Sequence, residues 1–335
     1  MITYFKVTNL NGKGEKGNFE FHCHEDLNIF TGQNGCGKTT LLKLLWYVYK
    51  GKQDSFEKAK RDVIFDKCTI CFGGEIVLEI NRKKANFILK QNGKEVNDAK
   101  YFRNSIFFPT FRRIEGNYHF EYQEEEQLQR LDLALDLISK KMSHRRHRFV
   151  CAFSVQDIKV ILTEEYANLL QSVKKLDNIQ SERILEKTNN GMNMPNIQNV
   201  LEEINKIVLE NNIAKAKILS PYTKLSHIVN SLFNDKSVKI SENIILGDEK
   251  KTAVAAEKLS SGEQQVLSFL IYNAFSEKTV FFIDEPELSL HVDWQERLFP
   301  KLMEQNSSNQ FFIATHSPFI YSKFPDKEHI LDKEN

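Results

Sequence analysis

The chain has 335 residues, 41% of them hydrophobic, which is enough to bury one large core together with a smaller subdomain. Its 46 Lys and Arg nearly balance its 45 Asp and Glu, so the bulk charge does not indicate a nucleic-acid partner. Its five cysteines are scattered, unlike a disulfide framework, and no apolar run approaches the ~18 residues of a membrane span. With no signal peptide at its start, we expect a cytoplasmic protein without a membrane partner.

A phosphate-binding loop is predicted near the start of the chain. The string Gly32–Thr40 (GQNGCGKTT) matches the pattern G-x4-G-K-[ST] at every required position. The apolar run Leu27–Phe30 leads into the loop as a buried strand, and Lys38–Tyr49 leaves it as a helix whose N-terminal dipole points at the phosphates. This context favours a nucleotide site over a glycine-rich turn that binds nothing.

Each residue type in this loop has a chemical reason. Glycines let backbone N–H groups surround the β-phosphate because no Cβ stands in the way. Lys38 is predicted to reach the β and γ oxygens, and the Thr39 hydroxyl is predicted to ligate Mg²⁺. The residues of the loop that we expect to contact ATP are Gly32, Asn34, Gly35, Gly37, Lys38, Thr39 and Thr40.

Short strands are predicted after this helix. Glu75–Ile80 alternates between polar and apolar residues, and Asn92-Gly93 is a strong hairpin signal leading into Lys94–Val96. Cys68 and Cys71 have half of a zinc spacing, but no second pair lies near them. We therefore interpret them as small apolar residues of a strand.

The middle of the chain, about residues 117–235, is predicted to be helical and polar. Apolar residues recur at spacings of three and four from Ile158 to Leu176 and again from Ile197 to Val208, and residues 189–191 with Pro195 break the pattern. This predicts an antiparallel helical hairpin, whose arm of ~30 residues would reach at most ~45 Å. An ordinary helical subdomain and a docking surface for a partner both remain open.

Two charged runs lie in the same region. Glu121–Glu126 is acidic and Lys140–Arg148 is strongly basic. The basic run would suit contact with a phosphate backbone. The favoured interpretation is a solvated helix end or loop that pairs with the acidic run.

Two apolar runs near the end of the chain lead into polar side chains. Thr279–Ile283 precedes Asp284 and Glu285, and Phe311–Thr315 precedes His316. Because open α/β sheets bind ligands at the carboxyl ends of their strands, we expect these side chains to converge. Asp284 is predicted to hold Mg²⁺, and Glu285 to orient and deprotonate the attacking water.

The segment between these strands, roughly Val292–Gln305, is predicted to be a crossover helix. Pro300 lies inside it, and we expect this proline to kink or divide the helix.

The phosphate loop, LSSGE, the strand ending in DEP and ATHSP occur in that order, and this order resembles the ABC-type ATPases of the Rad50/RecF/OLD branch. The resemblance covers about residues 1–115 and 237–335. It implies an α/β fold with an ABC-ATPase head, in which a mixed sheet carries the phosphate loop beside an antiparallel β layer. Residues 116–236 would then be an inserted helical subdomain or short helical hairpin.

The resemblance also implies how ATP is used. Two copies would close around ATP, with Ser260 and Gly262 of one copy contacting the γ-phosphate held by the other. Glu263 is expected to belong to the same nucleotide-binding set. His316 would sense that phosphate, so the predicted catalytic residues are Lys38, Glu285 and His316.

The sequence departs from the family pattern at two places. His291 stands where transporter-type members have an Asp, and no glutamine marks the loop that should follow the strand Ser105–Phe108. The residue of Pro109–Glu115 that reads Mg²⁺ and the attacking water is therefore left open. For the adenine contact, the prediction is Asn11–Lys16.

No nuclease, helicase or protease constellation is found in this sequence, and the Toprim domain of OLD-type nucleases is not found after His316. Phe107–Gly116 (FFPTFRRIEG) and the compact arm resemble stand-alone ATPases of prokaryotic anti-phage systems, in particular the AriA-type subunits of PARIS. This resemblance implies a slow, regulatory ATPase that is a sensor or scaffold for a separate effector, expected to be a Toprim-like nuclease, with a phage protein or DNA as trigger. The alternative is a DNA-repair ATPase like RecF or Rad50, which would bind DNA directly.

Overall fold

The computed structural model describes residues 1–73, 76–82, 88–91, 94–95, 104–110, 113–114, 138–143, 146–153, 155–191, 197–233, 259–305 and 308–332. The chain divides into two compact units. The first comprises Met1–Ser154, Leu259–Phe269 and Ser276–Asn335, and the second comprises Val155–Lys258 and Leu270–Phe275. The predicted acidic run Glu121–Glu126, the predicted turn Asn92-Gly93 and Pro195 lie outside the described residues.

The strands are β1 (Ile2–Thr8), β2 (Phe19–His22), β3 (Leu27–Thr31), β4 (Lys67–Phe72), β5 (Ile76–Asn81), β6 (Ile88–Gln91), β7 (Lys94–Glu95), β8 (Ser105–Phe108), β9 (Arg113–Ile114), β10 (His147–Phe149), β11 (Ala152–Phe153), β12 (Val280–Asp284), β13 (Gln310–Ala314) and β14 (Glu328–Ile330). The α-helices of the described residues are α1 (Lys38–Tyr49), α2 (Gln53–Asp62), α3 (Val155–Gly191), α4 (Ile197–Leu232), α5 (Ser261–Ala274), α6 (Val292–Glu304) and α7 (Pro318–Tyr321).

A parallel sheet forms the centre of the first unit. Its strand order is β10-β8-β12-β13-β3-β14, and every described pair of neighbours is parallel. All residues of β3, β12 and β13 are buried, and these strands are rich in Phe and Ile, as expected of parallel strands covered on both faces. Their carboxyl ends consequently meet at one edge of the sheet.

A second, antiparallel sheet has the order β2-β1-β4-β5-β6-β7. Together with the parallel sheet and the helical insertion, it confirms the predicted α/β class with an antiparallel layer. The sheet that carries the phosphate loop was expected to be mixed, but its described strand pairs are all parallel. Cys68 and Cys71 are both residues of β4 with free thiols, as predicted. Within the part of the chain that the structure describes, no group of three or more His, Cys, Asp and Glu residues is arranged to hold a metal.

Two buried amide side chains of the parallel sheet bond to backbone groups of the N-terminal segment. The Gln310 Oε1 atom accepts a hydrogen bond from the backbone N–H of Ile2 at 2.8 Å, and its Nε2 donates to the carbonyls of Ile2 and His24, each at 2.7 Å. Asn28 Nδ2 donates to His24 O at 2.9 Å, and Asn28 Oδ1 accepts from His24 N at 2.8 Å. Gln310 and Asn28 have no exposed surface, so these bonds replace water that cannot enter.

Helix α1 is packed against the sheet along nearly its whole length. Its Trp46 ring lies 4.9 Å from Phe107 and 5.5 Å from Phe149, measured between centroids. The Lys50 ammonium sits 3.2 Å from the centroid of the Trp46 indole and donates to the carbonyl of Met142 at 3.2 Å. The phosphate loop therefore leads into a helix that is fixed by aromatic packing.

Helix α6 corrects one expectation. It runs without interruption from Val292 to Glu304 with Pro300 inside it, so the proline does not divide the helix. Pro300 lacks the N–H that would bond to the carbonyl four residues earlier. Buried side chains on both sides of it, Leu298, Phe299 and Leu302, hold the helix against the core despite this loss.

The second unit contains a helical hairpin. Ion pairs join Asp177 to Lys215, Arg183 to Glu210 and Lys187 to Glu203, and this falling register shows that α3 and α4 are antiparallel. The helices have 37 and 36 residues, so the longer one extends about 56 Å at 1.5 Å per residue, further than the predicted arm. Helix α3 includes residues 189 and 190 of the predicted break and ends at Gly191.

Across the described ranges, no helix has both the length and the apolar character that crossing a membrane requires.

The bonds of Gln310 predict a large loss of stability when they are removed. We expect Gln310→Met to lower the free energy of unfolding by about 3 kcal/mol, because it removes the side-chain partner of the buried backbone groups of Ile2 and one of the two donors to the His24 carbonyl. Urea denaturation measures this change. The control Gln53→Met changes an exposed glutamine of α2, and we expect its effect to stay within about 0.5 kcal/mol. A loss below about 1 kcal/mol at Gln310 would contradict this account of the connection.

Candidate functional site

Four neighbouring strands of the parallel sheet bring polar groups to one edge. The phosphate loop follows β3, His316 lies two residues beyond β13, Asp284 ends β12 and Thr110 lies two residues beyond β8. These strands are adjacent and parallel, so their four carboxyl ends lie side by side. The structure brings Asp284, Glu285 and His316 together at this edge, as the sequence predicted.

The phosphate loop turns between β3 and α1 on glycines. Gly32, Gly35 and Gly37 have φ angles of 134°, 80° and 117°, in the left-handed region that side chains avoid. A Cβ on Gly37 would also lie 3.1 Å from the Asn11 side-chain nitrogen. The loop therefore depends on glycine for its conformation and for close packing. Asn34 lies exposed within the loop, and Thr40 is the third residue of α1.

The segment Asn11–Lys16 lies against the outside of this loop. Lys13 Nζ donates to the carbonyl of Gly35 at 2.7 Å, and Asn11 has a left-handed backbone with φ of 58°. These contacts place the segment beside the phosphate loop. Its contact with adenine stays a prediction.

Lys38 is buried inside the loop. Its Nζ donates to the carbonyls of Gly32 at 2.8 Å and Gln33 at 3.1 Å, and lies 3.3 Å from His316 Nδ1. A lysine ammonium has hydrogens to donate and no lone pair, so His316 Nδ1 must be the acceptor. The neutral His316 ring then has its hydrogen on Nε2.

Asp284 is a carboxylate without exposed surface. Thr39 Oγ1 donates to Asp284 Oδ1 at 2.9 Å, and Thr110 Oγ1 donates to Asp284 Oδ2. Carboxylate and hydroxyl oxygens are ligands suited to Mg²⁺, a hard cation. The donor set therefore fits a magnesium ion held beside the phosphate loop, with Thr39 and Asp284 as the predicted ligands.

Glu285 follows directly and has a left-handed backbone, with φ of 50°. Its Oε1 lies 3.3 Å from His316 Nε2, the nitrogen that carries the hydrogen. Burial, the neighbouring Glu287 carboxyl and Asp284 raise the pKa of Glu285 to about 8. Burial and the Lys38 ammonium lower the pKa of His316, which favours its neutral form. His316 thus connects Lys38 on one side with Glu285 on the other.

The LSSGE motif forms the start of α5. The backbone N–H of Ser260 donates to Glu263 Oε2 at 2.8 Å, and the backbone N–H of Glu263 donates to Ser260 Oγ at 3.4 Å. This reciprocal pair is a capping box, which leaves Ser260 and Ser261 exposed at a helix N-terminus. Contact of Ser260, Gly262 and Glu263 with a nucleotide on a second copy stays a prediction.

Helix α5 is also fastened to the turn that follows Glu285. A Cβ on Gly262 would lie 2.4 Å from the carbonyl oxygen of Ser289, so only glycine fits at this position. The Gln265 Nε2 atom donates to the carbonyl of Pro286 at 2.6 Å. The motif and the glutamate turn therefore form one packed piece of the first unit.

Sequence reasoning gave no role to four residues of this neighbourhood. Thr110 lies in the segment Pro109–Glu115, where the residue that reads Mg²⁺ was left open, and Gln265 lies two residues beyond LSSGE. The backbone N–H of Gln33 donates to the carboxylate of Asp332, close to Gly32. Glu287 lies inside the string DEPE, which is the one available signal, and it contacts the His316 segment. Each of these contacts joins residues that are distant in the sequence.

Two other histidines singled out in the sequence have contacts of their own. His147, within the basic run, is buried and bonds to Ser105 Oγ at 2.8 Å, and His144 lies outside the described residues. His291, which stands where transporters have Asp, is exposed at the start of α6 and accepts from Asp293 N at 3.5 Å. A role of Lys140–Arg148 with nucleic acid stays a prediction.

The backbone of Glu285 predicts that this residue lowers stability. We expect Glu285→Asn to raise the free energy of unfolding by about 1 kcal/mol, because Asn tolerates the left-handed conformation and removes a carboxyl beside two others. Chemical denaturation at pH 7.5 measures the gain. Glu285→Gln removes the ionisable carboxyl without relieving the backbone, so it should gain less, and equal gains in both variants would contradict the backbone account.

Comparison with known proteins places the chain in a family. The pattern of the AAA_21 family, described as "AAA domain, putative AbiEii toxin, Type IV TA system", matches residues 27–322. The chain is 28% identical over 170 residues to "Endonuclease GajA" of Bacillus cereus (strain VD045), covering 46% of this chain and 29% of GajA. It is 25% identical over 104 residues to "Retron Ec83 probable ATPase" of Escherichia coli, covering 27% of this chain and 18% of that protein.

The aligned part therefore spans less than a third of each of these two relatives. Among solved structures, an Smc head domain from Pyrococcus furiosus, with an extended coiled coil and bound to the C-terminal domain of ScpA, is similar, with a TM-score of 0.47. The two are 14% identical, and the match covers 96% of this chain and 91% of that chain. Because the family match extends over most of the sequence, the chain belongs to the AAA_21 family.

Proposed function

We propose that this protein binds ATP with Mg²⁺, dimerises around the nucleotide and hydrolyses it slowly to ADP and phosphate. The observation that supports this proposal most directly is the meeting of Lys38, Thr39, Asp284, Glu285 and His316 at one sheet edge. Magnesium bound with the nucleotide would neutralise phosphate charge next to Thr39 and Asp284.

The chain's own residues would then have separate roles in binding and hydrolysis. The glycine loop and the N-terminus of α1 present backbone N–H groups to the phosphates, and Lys38 adds a positive charge. Glu285 is the group that takes a proton from the attacking water, and its pKa near 8 makes it a strong base once ionised. His316 holds the carboxylate through its Nε2 hydrogen, 3.3 Å from Glu285 Oε1.

Thr110 lies in the loop after β8, where the family pattern has a glutamine and this sequence has none. It follows β8, the neighbour of β12, and its hydroxyl bonds to the second oxygen of Asp284. We propose that Thr110, through this bond to Asp284, would help to hold a magnesium ion bound beside Thr39.

The second half of the site would come from another copy of the chain. The start of α5 carries two exposed serines and the positive end of a helix dipole, which is a favourable environment for a phosphate. Placed over the γ-phosphate of a partner copy, Ser260 and Gly262 would complete the site. ATP would then hold the two copies together until hydrolysis.

The biological setting we propose is prokaryotic anti-phage defence. The likeness to GajA and to a retron ATPase supports this setting, as does the resemblance to AriA-type subunits of PARIS. In this role the protein is a sensor or scaffold for a separate effector, a Toprim-like nuclease, and responds to a phage protein or DNA. Salt-dependent binding of duplex DNA by the purified protein alone would instead favour a RecF-like repair role.

Lys38→Ala tests nucleotide binding and the role in defence together. We expect it to abolish ATP binding in a calorimetric titration, since the charged contact to the β and γ oxygens is lost. Phage protection measured with the neighbouring effector gene co-expressed should disappear with it. Lys43→Ala, an exposed lysine of the same helix, is the matched control and should change neither property. Normal ATP affinity of Lys38→Ala would remove the site from this loop.

Ser260→Asp tests the shared site. Aspartate is as good an N-cap as serine, so α5 and the free energy of unfolding should be retained. Its negative charge would face the partner's γ-phosphate, and we therefore expect ATP to bind single copies normally while the ATP-dependent dimer is lost. Light scattering with ATP, in a Glu285→Gln background that retains the nucleotide, measures the dimer. A dimer that forms as readily as with Ser260 would refute the shared site.

A further inference from the structure

The carboxylate of Glu287 gathers three donors on a single oxygen. Its Oε1 accepts from the Thr315 hydroxyl at 2.7 Å, from the His316 backbone N–H at 2.7 Å and from the Ser317 backbone N–H at 3.1 Å. The three donors are consecutive residues at the end of β13. One side chain from the neighbouring strand end therefore fixes the whole segment that carries His316.

The local backbone explains how Glu287 reaches this segment. The last ladder bond between the two strands joins Glu285 N to Ala314 O at 2.8 Å, and the left-handed Glu285 then turns the chain. The turn closes when Leu290 N donates to Glu287 O at 2.9 Å. The Glu287 side chain is thereby directed across to the end of β13.

Fixing the backbone of His316 also fixes its ring. The ring must hold two contacts of 3.3 Å at once, from Nδ1 to Lys38 and from Nε2 to Glu285. A shift of the segment by a fraction of an ångström along either direction would lengthen one of them. The carboxylate that holds this backbone thus controls both contacts of the His316 ring.

The surroundings of the second oxygen of Glu287 indicate which substitution would preserve the geometry of this side chain. Oε2 is buried, and among the residues that the structure describes it has no hydrogen-bond partner. An amide nitrogen in its place would lose no bond, while the amide oxygen could still accept from all three donors. Gln is therefore a faithful replacement for the geometry of Glu287, and Ala is not.

We propose that Glu287 is a positioning residue that sets the His316 ring between Lys38 and Glu285, and so aligns the base for water attack. The proposal rests on the hydrolysis proposed above. Glu287 acts on the ring through the backbone of His316, to which its Oε1 bonds. The Glu287 carboxyl also raises the pKa of Glu285, and this effect is lost in Glu287→Ala and Glu287→Gln alike, so the difference between the two variants reports the positioning.

The test compares Glu287→Ala with Glu287→Gln, using Glu277→Ala at an exposed position as the control carboxylate. We expect Glu287→Ala to lower kcat by about 10-fold to 100-fold with little change in KM for ATP, as for other residues that orient a catalytic group. Glu287→Gln should keep kcat within about threefold of the wild type. Loss of kcat in both variants, or in neither, overturns the proposal.

A second readout does not depend on turnover. Nitrogen-15 spectra of labelled histidine should show His316 as the Nε2–H tautomer in the wild type and in Glu287→Gln, with the signal assigned by its loss in His316→Gln. In Glu287→Ala we expect a shift towards a mixture of tautomers. An unchanged His316 signal in Glu287→Ala overturns the proposal.

The outcomes separate this inference from the proposed function. If the wild type does not hydrolyse ATP, the proposed function fails, and the histidine spectra still decide whether Glu287 sets the ring. Should Glu287→Ala not fold, Thr315→Val removes one of the three donors at nearly constant volume. Its kcat should then fall below that of Glu287→Gln, and an equal or higher kcat would overturn the proposal.

Discussion

The arrangement of the site depends on one carboxylate that water does not reach. Asp284 has no exposed surface, and a buried charge is costly unless donors replace the lost water. Here the donors are hydroxyls from two different loops, Thr39 after β3 and Thr110 after β8. Satisfying one side chain therefore brings the phosphate loop and the loop beyond β8 to the end of β12, and that meeting creates the site.

The rest of the first unit supports this arrangement through buried polar contacts as well as apolar packing. Aromatic rings of α1 and the sheet fix the helix behind the phosphate loop, while Gln310 attaches the first strand of the antiparallel sheet to the start of β13. One end of β13 thus carries a structural anchor, and its other end leads to His316. Strain is present at the functional end, where Glu285 has a left-handed backbone.

Much of this was predictable from the sequence because certain signals are local. The phosphate-loop motif followed by an apolar run predicted Lys38–Tyr49 as a helix with the bounds that the structure has. The apolar runs before Asp284 and His316 predicted two buried strands to within one residue of β12 and β13. Here composition and motif together specify the element.

The remainder depended on contacts between distant residues. A single threonine after a strand gives no signal until the neighbouring strand is known, so Thr110 could not be predicted. Pro300 predicts a break when considered alone, but the buried residues around it keep α6 intact. The order of the four motifs indicated the family, yet only the folded chain shows that Glu287 joins two of them.

The capping box at the start of α5 has a consequence for how this helix meets another molecule. The bond from Ser260 N to Glu263 Oε2 is short, at 2.8 Å, whereas the Ser260 hydroxyl is held at a relaxed 3.4 Å. The hydroxyl can therefore exchange its internal partner for an outside acceptor while the carboxylate keeps the first turn wound. The bond to Glu263 Oε2 keeps the first turn of the helix intact, while the Ser260 hydroxyl can bond to another molecule. Binding at this end of the helix would therefore require no unwinding.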